Sequence, residues 1–252
     1  MRNKRTNLSI FSLIAVLGLG AFFCLNQKNT QNILQLQEQD MIWVQGGETK
    51  IGFEQGQDNE KPVFYQYINS FWIDKSPITV GQFKKFIKLT RYVTDAEKQE
   101  KGYFLDSLTQ ILVPIPRASW LYPWGREKPQ AIDSQIVTQI SWNDAKAYAT
   151  WLGKRLPTEF EWELLLQNQK KYAVQFPSHH TTLWFWSENF FRMYQETGYR
   201  KHRLNETKTL KGGKIWDAQA QKYLQRPSLR LHFSPEVSCA NFSFFCAKDA
   251  EK

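Results

Sequence analysis

The sequence predicts a mixed helix-and-strand domain, α+β in class, set behind an N-terminal membrane-anchor helix. Three features predict it. Residues 63–79 (VFYQYINSFWIDKSPIT) alternate apolar and polar side chains, as a half-buried strand does. Two stretches open with a hydroxyl residue and carry an acidic side chain three positions on, ahead of apolar residues at helical spacing. Residues 8–25 are uncharged and mostly apolar behind a basic start, MRNKRTN.

Size and composition fit one sizeable domain plus an appendage. The chain has 252 residues, and its 10 Trp and 18 Phe bury enough area to build a core without disulfides or metals. Charged residues are 23%, close to the globular average. The formal charge is +9, but the cations are scattered and form no basic stripe, which argues against nucleic acid as a partner.

The elements follow in order. Residues 1–7 read as a basic cytoplasmic segment under the positive-inside rule, 8–25 as a signal anchor or transmembrane helix, and 26–40 as a polar, Gln- and Asn-rich tether. That grammar predicts a single-pass inner-membrane protein whose folded part starts near Met41, in the periplasm or outside the cell. MIWVQGGETKIGF (41–53) reads as a strand, a Gly-Gly turn and a strand. Beyond the 63–79 strand, Thr79 caps a helix with Val80, Phe83, Phe86 and Ile87 on one face. Residues 102–136 are proline-rich and irregular, with the aromatic stretch ASWLYPWG at 118–125.

Ser141 and Asp144 form a capping box for a helix whose apolar stripe is Ala145, Tyr148, Ala149 and Leu152, and Gly153 stops it. In RLPTEFEWE (155–163), Thr158 caps a further helix and Glu161 completes the box. Glu159, Glu161 and Glu163 crowd the first turn, where the helix dipole favours negative charge. Trp162 and Leu166 point to the core, and Arg155 is placed to pair with one of the glutamates. Neighbouring carboxylates can act as acid and base. Helix starting and ion pairing account for these three without that role.

Candidates for chemistry are few. His179 and His180 are adjacent, so their side chains diverge; with His202 and His232 they read as surface or packing residues rather than metal ligands. No P-loop, dinucleotide fingerprint or Ser-His-Asp ordering is present. Cys24 falls in the anchor, while Cys239 and Cys246 are either a short-loop disulfide or two buried thiols.

ISWNDAKAYATWLGKRLPTEFEWE (140–163) closely resembles the signature of the formylglycine-generating enzyme family, the sulfatase-modifying factors. MIWVQGG (41–47), FWIDKSPITVGQFKKFIKLTRYVTDAEK (71–98), ASWLYPWG and LKGGKIWDAQAQKYLQRPSLRLHFSPEVSCANFSFFCA (210–247) resemble further blocks of that family in the same order. The resemblance covers about 41–249 and implies an irregular C-type-lectin-like fold over that span. Active members bind copper through two cysteines of the C-terminal block and use oxygen to convert a substrate cysteine into formylglycine. Soft thiolates suit cuprous copper.

In this sequence the resemblance puts Asp217 and Lys222 at the two cysteine positions and Lys214 at a serine position. A carboxylate and an ammonium do not replace a thiolate pair. TTLWFWS (181–187) lacks the asparagine, glycine and glutamate of the family's calcium site, the segment between Glu163 and Trp184 is short, and SFF (243–245) replaces a GFR motif. Cys246 matches a structural cysteine whose partner position is Ala149 here, which leaves Cys239 as a replacement partner. The resemblance therefore implies a domain with neither the copper nor the calcium site and without formylglycine-generating activity. Its implied role is a ligand- or protein-binding envelope component. Lys214, Trp216, Arg226, Arg230, Trp184 and Trp186 are the candidate binding residues, with internal ion pairing open for the arginines and core packing for the tryptophans. The alternative is a periplasmic modifying enzyme of different chemistry, such as siderophore-precursor maturation, with Asp217 as acid/base and Lys222 as its charge partner.

Overall fold

Among the described residues, four hydroxyl residues start the four α-helices, each through a reciprocal capping box. Thr79 opens α1 (Val80–Thr90) with Gln82, Thr94 opens α2 (Asp95–Gln99) with Glu97, Ser141 opens α3 (Trp142–Trp151) with Asp144, and Thr158 opens α4 (Glu159–Gln167) with Glu161. Each box satisfies two backbone donors that the first helical turn leaves without a partner. The Thr94 box was not read from the sequence, because only a five-residue helix follows it. Val80, Phe83 and Phe86 of α1 are buried, as their spacing requires. Gly153, at φ 66°, ends the turn after α3 in the left-handed conformation.

The computed structural model describes residues 40–176, 182–194, 206–217, 219 and 221–250, together with Gln27 and Gln31. The anchor at 8–25 and nearly all of the tether lie outside the described residues, as do His179, His180 and His202. Among the described residues no helix is long and apolar enough to cross a membrane. Residues 42–252 make one compact unit.

Among the described residues, thirteen short strands are arranged in five small sheets. β1 (Met41–Val44), β4 (Phe71–Asp74) and β13 (Ala247–Asp249) form one sheet in the order β1-β4-β13. β2 (Gly47–Ile51) pairs with β3 (Phe64–Ile68). The 63–79 stretch is thus two strands, not one, broken at Asn69–Ser70. The Gly46 backbone crosses at that break: its amide donates to Ser70 Oγ at 2.9 Å, and a Cβ there would lie 2.2 Å from the Ile68 carbonyl oxygen. The glycine pair after Gln45 therefore sends β1 and β2 into different sheets rather than closing a hairpin.

The 102–136 stretch, read as irregular, begins with a hairpin of β5 (Lys101–Leu105) and β6 (Leu112–Pro116). The larger sheet runs β11 (Leu231–Phe233), β8 (Lys208–Lys211), β7 (Trp184–Phe190), β12 (Phe242–Ser243), and its last pair is parallel. β9 (Ile215–Asp217) and β10 (Lys222–Leu224) make a separate two-stranded hairpin.

The core sits where α4 meets these sheets. Trp162 stacks on Phe185 at 5.6 Å and meets Phe245 edge-on at 5.1 Å, and Val44, Ile51, Phe71, Ile73 and Leu165 close around them. A second aromatic knot joins Phe83 and Phe86 of α1 to Tyr148 of α3 and to Phe244.

Candidate functional site

The three glutamates of RLPTEFEWE enter the interior at the start of α4, and each meets a cation. Glu161 takes both guanidinium nitrogens of Arg155, at 2.8 and 2.7 Å, while the same arginine reaches Asp249. Glu163 accepts from the Gly52 amide at 2.7 Å and from Lys211 Nζ at 3.0 Å; both side chains of that ion pair are buried. Glu159 lies 2.7 Å from Arg230, an ion contact outside hydrogen-bond geometry. Burial raises the Glu159 carboxyl above its ordinary value against the pull of Arg230 and Lys211. These residues hold the fold together, which answers to the structural reading of the motif.

The two arginines expected to line a groove belong to the same buried set. Arg230 is walled by the rings of Phe191 and Tyr194, 4.5 and 4.2 Å from its guanidinium carbon, and donates to the Asn59 carbonyl at 2.8 Å. Arg226 donates to Glu60 through Nε at 2.8 Å and through Nη2, and Ser228 adds a third bond to that carboxylate. Burial works to raise Glu60, but the bonds from Arg226, Ser228 and the Gln57 amide outweigh it and hold the carboxyl below its usual range. With its guanidinium fully buried, Arg230 cannot meet an external ligand, so its expected binding role is corrected to an internal ion pair.

Trp184 and Trp186 are corrected likewise, from pocket walls to core. Trp186 donates through Nε1 to the Ile140 carbonyl at 2.9 Å and packs on Phe242. Trp184 is covered by Gly213, where a Cβ would fall 2.2 Å from the indole. Gly213 is therefore required by the buried indole beneath it, while Gly212, at φ 84°, takes the left-handed conformation over the Phe185 ring.

The candidate positions that do come together are Asp217 and Lys222. They face one another across the β9–β10 ladder, and Trp216 faces Tyr223 in the next pair, with ring centroids 5.2 Å apart. Directly opposed residues project on the same face of a hairpin, so a carboxylate and an ammonium share one surface. Asp217 Oδ1 also accepts from the Gln219 amide at 2.9 Å, which shapes the turn. Lys214 and Trp216 are half-exposed beside them. The sequence alone could not show this pairing, because the turn between 217 and 222 sets the register.

Of the two readings left open for the cysteines, the structure has the free thiols: Cys239 and Cys246 are both buried and unbonded. They attach to different parts of the frame. The Cys239 segment runs beside β5, and its thiol donates to Asn241 Oδ1 at 3.5 Å. Cys246 is tied through its amide to Asp74 Oδ2 at 2.7 Å. Burial pushes the Cys239 thiol up to about 12 and the Cys246 thiol well above its ordinary value, the second aided by the Asp74 charge. His232 stacks on Phe191 at 4.0 Å and shares a hydrogen bond with Thr207, which is the packing role its isolation suggested. Among the described residues no group of three or more His, Cys, Asp or Glu is placed to hold a metal.

A feature the sequence did not reveal is a cavity of about 770 Å³ beside the end of β3, lined by Gln66, Tyr67, Asn69, Thr158, Phe160 and Asp249. Its walls come from three elements distant in the chain, so no local pattern announces it.

The family model for the sulfatase-modifying factor enzyme 1-like domain matches residues 26–209. Asp217 and Lys222 lie beyond that match. The inactive C-alpha-formylglycine-generating enzyme 2 of Bos taurus is 32% identical over 204 residues, covering 70% of this chain and 64% of that protein. The formylglycine-generating enzyme of Thermomonospora curvata is 35% identical over 147 residues, covering 49% of this chain and 47% of its own. The chain thus spans less than two thirds of either relative. Among solved structures, PvdO from Pseudomonas aeruginosa superposes with a TM-score of 0.55 at 15% identity, over 83% of this chain and 94% of its own, a likeness of fold. With most of its length matched by the family model and its strands and helices arranged as in that neighbour, the chain belongs to the sulfatase-modifying factor enzyme 1-like family.

Proposed function

We propose that this protein is a membrane-anchored, extracytoplasmic member of the family that binds a ligand or protein of the cell envelope and makes no formylglycine. The observation that carries the reading is the β9–β10 ladder, where Asp217 and Lys222 stand opposite each other at the positions the family resemblance gives to the copper thiolates. A carboxylate and an ammonium do not fit a cuprous ion. The remaining described thiols are buried and held neutral, so neither offers a thiolate in their place. The calcium site fits no better: Phe185, at the resemblance's glutamate position, is a buried ring stacked on Trp162. One of the relatives is itself named an inactive enzyme.

The test is to incubate the full chain with cuprous copper, oxygen and a Cys-x-Pro-x-Arg peptide and to search for the aldehyde by mass spectrometry. No product is expected. A copper-dependent aldehyde would overturn the reading.

The same ladder supports one second reading, an enzyme of different chemistry in which Asp217 moves a proton and Lys222 steadies its charge. Asp217→Asn and Lys222→Met separate the two. Under the binding reading these positions, one half-buried and one exposed, tolerate the change with the fold intact, whereas under the enzyme reading either change abolishes complementation of a deletion strain.

A further inference from the structure

Beyond Lys101 at its first position, the β5–β6 hairpin and its connecting loop, GYFLDSLTQILVPIP (102–116), contain a single charged residue. That residue, Asp106, is engaged by its own turn: its carboxylate accepts from the amides of Leu108 and Thr109 at 2.8 and 3.1 Å, and its backbone closes on Ile111 and Gln110. Gln110 then donates to the Ser107 carbonyl. The tip is therefore a locked turn, and it presents Leu108 and Ile111 outward at 63% and 61% exposure. Below the tip, Val113 and Trp124 are also about half exposed, with Trp124 packed on Phe104, and Tyr223 leans in from β10 through its hydroxyl on Ser107 at 2.8 Å. Lys101 and Arg117 flank the hairpin's base.

A contiguous exposed apolar surface of this kind marks an interaction site. The alternation of hydrogen bonds selects the partner. Tyr103 and Leu105 bond to the 238–241 segment, whereas Asp106 and Glu100 bond to Ile111 and Arg117. Even-numbered residues of β6 thus point to its open edge, and two of the three are Pro114 and Pro116, which have no amide to donate. Strand addition by another protein is disfavoured there. The rest of the surface is the hairpin tip, with exposed Leu108 and Ile111 in the turn, Trp124 and Tyr223 packed beside the strands below it, and Lys101 and Arg117 at the base. That ordering follows the polarity gradient of a bilayer interface from acyl chain to headgroup.

We propose that the tip of this hairpin, through Leu108 and Ile111, dips into the acyl–headgroup boundary of a lipid bilayer. The proposal rests on the membrane-anchored reading for its proximity. Even fully extended, the 15 residues 26–40 span at most about 50 Å, which bounds how far the domain can stand from a bilayer that holds residues 8–25. Contact by the hairpin would give the anchored domain a defined face toward the membrane.

The test uses the full chain reconstituted into phosphatidylcholine–phosphatidylglycerol vesicles. In a Cys24→Ser background, Leu108→Cys carries an environment-sensitive fluorophore, and Lys88→Cys on the exposed side of α1 is the control. Spin-labelled lipid should quench the label at 108 severalfold more than at 88, and iodide on both sides of the bilayer should do the reverse. Equal iodide quenching at both positions in a vesicle-bound chain would overturn the hairpin's role and leave the anchor standing. A chain that fails to incorporate would overturn both readings. Protection at 108 from iodide and lipid quencher alike would assign the surface to a second copy of the chain instead.

Discussion

Lys211→Met removes the cation from an ion pair whose two side chains are both buried, and leaves the Glu163 carboxylate inside the protein with only the Gly52 amide. At the observed 3.0 Å the pair's gross attraction is about 5–6 kcal/mol for an effective dielectric constant near 20. The intact pair contributes far less than that net of desolvation, but breaking it from one side exposes the desolvation cost of the survivor, about 3–5 kcal/mol. For a domain whose total stability is about 5–15 kcal/mol, that is a large fraction. It corresponds to a fall in Tm of roughly 10 °C. Glu163→Gln should cost a similar amount, since it strands the ammonium. The double variant should then cost clearly less than the two singles added, because neither charge is left alone. Urea unfolding followed by tryptophan fluorescence on all four proteins gives the coupling. A coupling near zero, or a single variant costing under about 1 kcal/mol, would refute the argument that these residues act as one buried pair.

Two further outcomes follow from burial. Burial raises the Asp144 carboxyl to about 6, against the pull of the Ser141 bond, and the Asp95 charge adds to the rise. A carboxyl with a raised folded-state value binds more protons folded than unfolded, so its contribution falls as pH rises from about 4 to 6, by up to about 3 kcal/mol. The stability difference between wild type and Asp144→Asn should narrow over that window in urea titrations, and a constant difference would contradict the assignment. Cys239 and Cys246 should resist iodoacetamide in the native protein at pH 8 and react in urea, as read by peptide mass spectrometry; native labelling of either would mean that its thiol reaches solvent.

The sequence by itself determined the local starts and stops. Thr79, Ser141 and Thr158 each carry their partner three residues on, so their capping boxes are decided by spacing alone. Arg155 and Glu161 are six residues apart and meet across a single helix start, which is why that pair was also legible. The irregular α+β character followed from the same short signals. Everything that relies on distant segments was decided only by the tertiary structure. Arg226 and Arg230 looked like groove residues because their acidic partners, Glu60 and Glu159, stand 166 and 71 positions earlier in the chain. Trp184 and Trp186 looked available for a pocket because nothing in their neighbourhood shows that Gly213 and Phe242 will cover them. The opposition of Asp217 and Lys222 depends on a hairpin register, and the exposed tip at Leu108 and Ile111 on which strand edge the prolines occupy. Helix caps are short-range hydrogen bonds within one turn, whereas burial, ion pairing and register are set by which segments the core brings together, and those segments have no common period to read.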